Sequence, residues 1–180
     1  MDIRARQAPL RERYRDEPES AVQRLHVRGG ESDLTDPLHA ECGPVQLPDV
    51  VWRSGAHAAV GGDGDTPCSG DVLLGALAAC QEITLRMVAA NMGIELRTLT
   101  VDVEADWDPR GTLAMGREFP VGLRSIRCQT SVTIDEDANG ERAERLLRSA
   151  ERYCVVLDTL RTGVDVDATI EVHAEDPASR

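Results

Sequence analysis

The chain contains no lysine: its 20 basic residues are all arginine, set against 32 acidic ones, for a formal net charge of −12 and a pI near 4.7. That absence reads as coding bias more than chemistry, although bias does not exclude a functional preference for arginine. The acidic balance argues against nucleic acid or an anionic membrane as partner, because both demand basic surface. Aromatic residues are almost missing, with 2 Trp, 2 Tyr and 1 Phe in 180 residues, so stacking platforms for bases or sugars are not expected. The first twenty residues, MDIRARQAPLRERYRDEPES, hold no apolar run, so neither a signal peptide nor a membrane anchor is expected. There is no CxxC, and His26, His39, His57 and His173 are scattered, as surface or strand histidines are; no metal or other cofactor is expected. Five cysteines (Cys42, Cys68, Cys80, Cys128, Cys154) is an odd number in a leaderless chain, which argues for reduced thiols in a cytoplasmic protein.

What the chain does have is one long apolar stretch, SGDVLLGALAACQEITLRMVAANMG, from Ser69 to Gly93. Ser69 is placed to cap a helix, Asp71 puts a negative charge in its first turn, and Gly93 suits a left-handed close. Apolar residues run nearly all the way round, so the spacing predicts a core helix buried on several sides. It is long enough to cross a bilayer, but Gln81, Glu82, Thr84, Arg86 and Asn91 break up its second half, the pattern of a soluble domain.

Around that helix the chain divides into a charged arm (1–20), a single domain (21–173) and a tail (174–180). AVQRLHVRG, DPLHAECGP and VVWRSGAHAAV read as short strands bounded by Gly and Pro, and Gly61 to Pro67 as a loop leading into the helix. After Gly93, ELRTLTVDVEADWD sets Val101, Val103, Ala105 and Trp107 on one face, a half-solvated strand; Asp108 to Gly111 is a turn. VGLRSIRCQTSVTI is a second such strand, with Ile126, Cys128, Thr130, Val132 and Ile134 inward. Asp135 to Gly140 is a polar turn. GERAERLLRSAERY is an amphipathic helix with Ala143, Leu146, Leu147 and Ala150 on its apolar stripe, and a second short helix follows a break at Cys154. VDVDATIEV, with Val164, Val166, Ala168, Ile170 and Val172 in strict alternation, reads as a closing strand. The class is α+β. One small sheet cannot cover a helix apolar on every side, and each further Leu or Met buried is worth roughly 1.5–3 kcal/mol, so the helix is expected to pack on its twin in a homodimer.

Cys80 sits in the middle of the long helix, where a cysteine by itself is an ordinary core filler. The pairing of motifs says more. D-V-L-L-G-A-L-A-A-C ends at Cys80, and C-V-V-L-D-T-L begins at Cys154, 74 residues later. From about Gly61 to Val172 the chain resembles the osmotically inducible protein C and organic hydroperoxide resistance (OsmC/Ohr) family. The resemblance implies an intertwined homodimer with two such helices at its centre and active sites at the interface. It implies Cys80 as the peroxidatic thiol, Cys154 as the resolving one, an organic hydroperoxide as substrate and a small dithiol or lipoyl protein as reductant, in oxidative-stress defence. A non-catalytic dimer that binds a small apolar or thiol-reactive ligand is the other function such a chain could serve. The family's Glu lies ten residues before the first cysteine; that position here is Gly70, and the nearest acid is Asp71, one residue later and one carbon shorter, which also reads simply as a first-turn acid. For the family's activating Arg the candidates are Arg28 and Arg53. Val155 stands where much of the family has Pro, and Cys68, twelve residues before Cys80, is either an alternative resolving thiol or a loop residue.

Overall fold

The computed structural model describes residues 2–30, 32–135 and 140–172; most of the expected turn at 135–140, the expected tail at 174–180 and His173 lie outside the described residues. The charged arm forms a helix, α1 (Ile3–Asp16), capped by Asp2, whose carboxylate accepts from the Ala5 N–H at 3.1 Å. None of its residues is buried, and its hold on its own chain is polar. Arg4 Nε donates to the Asn91 carbonyl at 2.7 Å, and the Asn91 amide donates to Gln7 at 3.2 Å. After a 3-10 turn, Pro18–Ala21, the strand expected over 21–29 is confined to β1 (Val27–Gly29). Val22 and Leu25 are exposed, so nothing faces the alternation there.

Strands β2 (His39–Pro44) and β3 (Trp52–Gly55) join β1 in an antiparallel sheet of order β1-β2-β3. His39 ties that sheet to the glycine-rich loop after it: Nε2 is 3.0 Å from Asp65 and Nδ1 2.8 Å from Asp36. Hydrogen bonds to Asp65 and then Asp36 raise the His39 pKa to about 9, so at neutral pH it is an imidazolium between two carboxylates. The Gly55 N–H donates to the Pro67 carbonyl at 3.0 Å, and Gly55 bridges Cys68 in parallel, so the chain leaves the sheet directly into the long helix.

That helix, α2 (Ser69–Met92), has its cap one residue before the expected one. Cys68 is the N-cap, and its N–H donates to the Asp71 carboxylate at 2.8 Å, so Ser69 is already helical. Gly93 closes the helix at φ 65, a left-handed conformation that glycine adopts without strain. Leu77, Gln81, Leu85 and Ala89, four residues apart, form its buried stripe. Val72, Leu73, Ile83 and Met87 stay exposed, Ile83 to 55%. Within the protomer the helix is therefore covered on one side, where the sequence predicts several.

Strands β4 (Leu96–Asp106) and β5 (Ser125–Ile134) form a second antiparallel sheet with Val103 opposite Cys128 and Ala105 opposite Ile126. Both alternate as the sequence predicts, one face toward the helices and one toward solvent. The turn expected at Asp108 is one turn of helix, α3 (Pro109–Thr112). Its cap, Asp108, accepts from the Arg110 N–H at 3.1 Å and grips the Arg110 guanidinium, which in turn lies 4.1 Å over the Phe119 ring. Helices α4 (Glu141–Tyr153) and α5 (Val155–Thr162) complete the order. Leu146 and Ala150 of α4 meet Leu85 and Ala89 of α2 and Ile94, with Val132 and Ile134 of β5 beneath, and this is the core. Leu147, placed on the same stripe by the sequence, is 45% exposed. The expected closing strand does not form: residues 164–172 pair with no strand among the described residues, and Val172 is 92% exposed. A period-two pattern selects a face but supplies no partner edge.

Leu85→Ala, at a fully buried position, should lower stability by about 2–5 kcal/mol in urea unfolding, while Leu147→Ala should cost much less.

Candidate active site

The break between α4 and α5 assembles the site. Cys154 ends one helix and opens the next, with extended backbone (φ −78, ψ 103) and no exposed surface. The first turn of any helix has N–H groups without intrahelical partners, and in α5 these belong to Val155, Val156 and Leu157. Backbone groups there act on both thiols: those of Val156 and Val155 lower the pKa of Cys80, and those of Leu157 and Val156 work in the same direction on Cys154. Cys80 is half-buried in the middle of α2, and the side chains of Cys154 and of Thr84, one turn further along the helix, are among the groups that lower its pKa. Both cysteines are reduced.

Two chemically identical groups thus acquire different acidities. Burial pushes both thiols up, because a thiolate loses hydration. At Cys80 the Val156 N–H, the Cys154 and Thr84 side chains and the Val155 N–H outweigh burial and bring the thiol below its ordinary value. At Cys154 burial wins over the Leu157 N–H, and the neighbouring Cys80 sulfur adds to it, so the thiol is pushed up to about 11. Cys80 is thus the more acidic of the two.

Sequence reading brings Cys80, Cys154 and Asp71 forward together; the structure brings only the two cysteines together. Asp71 bonds the Cys68 N–H, and it lies nine residues before Cys80, about 13 Å along the helix axis. Arg53 pairs with Glu41 at 2.8 Å across the first sheet, and Arg28 is on β1; neither is among the groups bonded to Cys80. Cys68 caps α2, away from the thiol pair by the length of three helical turns. Cys128 lies on the inner face of β5, where burial raises its pKa. Sequence reading places Thr84 one turn from Cys80 but gives it no role, and the start of α5 escaped it. The available signals were a hydroxyl four residues after a helical cysteine, and a second cysteine at a helix break.

A cavity of about 750 Å³ has Thr84, Met87 and Val88 of α2, Tyr153 of α4 and Arg11 of α1 in its lining, and neither cysteine. Of its lining residues, Thr84 lies one helical turn after Cys80 and Tyr153 immediately precedes Cys154. Among the described residues no three His, Cys, Asp or Glu side chains converge as metal ligands do.

A model of the OsmC-like protein family matches residues 62–169, and the chain belongs to that family. No curated protein sequence matches it. Solved structures share the fold at low identity. The OsmC-like protein of Mycoplasma pneumoniae is 15% identical, with a TM-score of 0.59 over 78% of this chain and 89% of that one. An OsmC-like protein of unknown function from Vibrio cholerae is 8% identical, with a TM-score of 0.60 over 77% and 94%. The organic hydroperoxide resistance protein OsmC of Legionella pneumophila is 18% identical, with a TM-score of 0.59 over 81% and 94%.

Peptide-resolved iodoacetamide labelling should find Cys80 reacting at a lower pH than Cys128, while Cys154 labels last and only as the pH nears about 11. Equal profiles for Cys80 and Cys154 would contradict the unequal pair.

Proposed function

We propose that the protein is a thiol-dependent reductase of organic hydroperoxides, acting in oxidative-stress defence in the cytoplasm, with Cys80 peroxidatic and Cys154 resolving. The observation that carries this reading is the contact between a thiol of lowered pKa and one of raised pKa. The Cys80 thiolate attacks the distal oxygen of ROOH, the O–O bond breaks, and the alkoxide leaves and takes up a proton as ROH. Cys80 becomes a sulfenic acid. The Cys154 sulfur then attacks the Cys80 sulfur, water departs with the Cys154 proton, and a disulfide remains. A dithiol, small or carried on a lipoyl protein, reduces it by exchange and is itself oxidised to a disulfide.

Met87 and Val88 in the cavity lining favour an organic R group over hydrogen peroxide. Family membership supports the same reading, and two structural neighbours, from Legionella pneumophila and Elizabethkingia anophelis, are named organic hydroperoxide resistance proteins. The protein acts as a homodimer, because the outer face of α2 carries Val72, Leu73, Ile83 and Met87 with no cover from its own chain. A monomer by light scattering at micromolar concentration would remove that support.

Reduced protein treated with one equivalent of cumene hydroperoxide should lose two hydrogens, mapped by non-reducing peptide analysis to Cys80–Cys154, and Cys80→Ser should abolish the reaction. A Cys80–Cys68 bridge would keep the chemistry and move the resolving role. Thiols intact over minutes would refute the reductase and favour a dimer that binds a small apolar or thiol-reactive ligand.

A further inference from the structure

The buried stripe of α2 holds one residue foreign to a core. Leu77, Leu85 and Ala89 are apolar, but Gln81 stands among them, only 7% exposed. Its Oε1 accepts no hydrogen bond from any described residue. An acceptor taken out of water without a donor destabilises the fold, so nearly all buried polar groups are paired. A leucine at this position would avoid that cost.

Gln81 lines a cavity of about 510 Å³ between α2, β5, α4 and α5, within the size range of small-molecule sites. Leu77 of α2, Ile126 of β5 and Leu157 and Leu160 of α5 supply apolar walls. Leu147, on the apolar stripe of α4 yet 45% exposed, lines the same space. The lining holds one acid and one base, Glu151 and Arg161, which pair at 2.7 Å. Each neutralises the other, so neither is left to balance a charged ligand. Neither Cys80 nor Cys154 lines this cavity, which sets it apart from the thiol pair.

We propose that the cavity binds a small aliphatic alcohol, with Gln81 Oε1 accepting a hydrogen bond from its hydroxyl and the leucines enclosing its chain. A hydroxyl is the neutral group that fits best. It donates to the Gln81 oxygen and can accept in turn from the Gln81 amide or from the Thr130 hydroxyl, also in the lining. An amine would be cationic and a carboxylic acid anionic at neutral pH, and the site has no free counter-charge for either. The inference is independent of hydroperoxide reduction at Cys80.

The probe is 1-hexanol, compared with its isomer 1-methoxypentane, which lacks the donor. Titration calorimetry of the full, reduced chain should show saturable binding of 1-hexanol, weakened about tenfold either by the change to 1-methoxypentane or by Gln81→Leu. Cys128, in the cavity lining, reports the location: 1-hexanol should slow its alkylation by iodoacetamide at about pH 9 and leave that of Cys42, on β2, unchanged. Equal affinity for the two isomers, wild-type binding in Gln81→Leu, or no saturable binding at millimolar 1-hexanol would overturn the proposal. Protection of Cys80 in place of Cys128 would move the ligand to the thiol pair and overturn it as well. The comparison of isomers uses the wild-type chain, so the test stands even where Gln81→Leu fails to fold.

Discussion

Everything in the protein hangs on the buried stripe of α2. Once Leu77, Gln81, Leu85 and Ala89 face α4 and the β4–β5 sheet, every other residue of that helix has a direction. Cys80 precedes Gln81 and is therefore about 100° off the stripe, neither in the core nor on the outer face. That places its sulfur at the side of the helix, where α5 begins. A shift of one residue in the stripe would carry Cys80 into the core or onto the exposed face, and the contact with Cys154 would be lost.

The second constraint is the helix break. An unbroken helix through residues 141–162 would spend the N–H groups of Val155 and Val156 on its own hydrogen bonds. By stopping at Tyr153 and restarting at Val155, the chain frees those donors next to a sulfur that needs them. Neither glycine nor proline stands at the break; the fully buried Cys154 does. The difference in acidity between two cysteines is thus a product of backbone geometry and burial, and it is obtained without a guanidinium or a carboxylate bonded to the thiolate. Asp71, meanwhile, is committed to the Cys68 N–H at the start of the helix.

The fold persists in solved structures at 8% and 15% identity because it depends on patterns more than on particular residues. A four-residue stripe on one helix, two alternating strands and an amphipathic α4 suffice to place the core, and many apolar side chains satisfy them. The site is more demanding, since it requires a cysteine at one angle on α2 and another at the break.

The sequence by itself determined the long helix and its glycine close, the alternation of β4 and β5, the amphipathic α4, the break at Cys154 and the pairing of the two cysteines, because each is a local period or a recognisable motif. Only the tertiary structure decided the rest. It put the α2 cap on Cys68, since caps turn on backbone conformation as much as on residue type. It left 22–26 and 164–172 without strand partners, since alternation specifies a face and not an edge. It brought the start of α5 to Cys80, since two separate helices acquire their relative placement only when they pack.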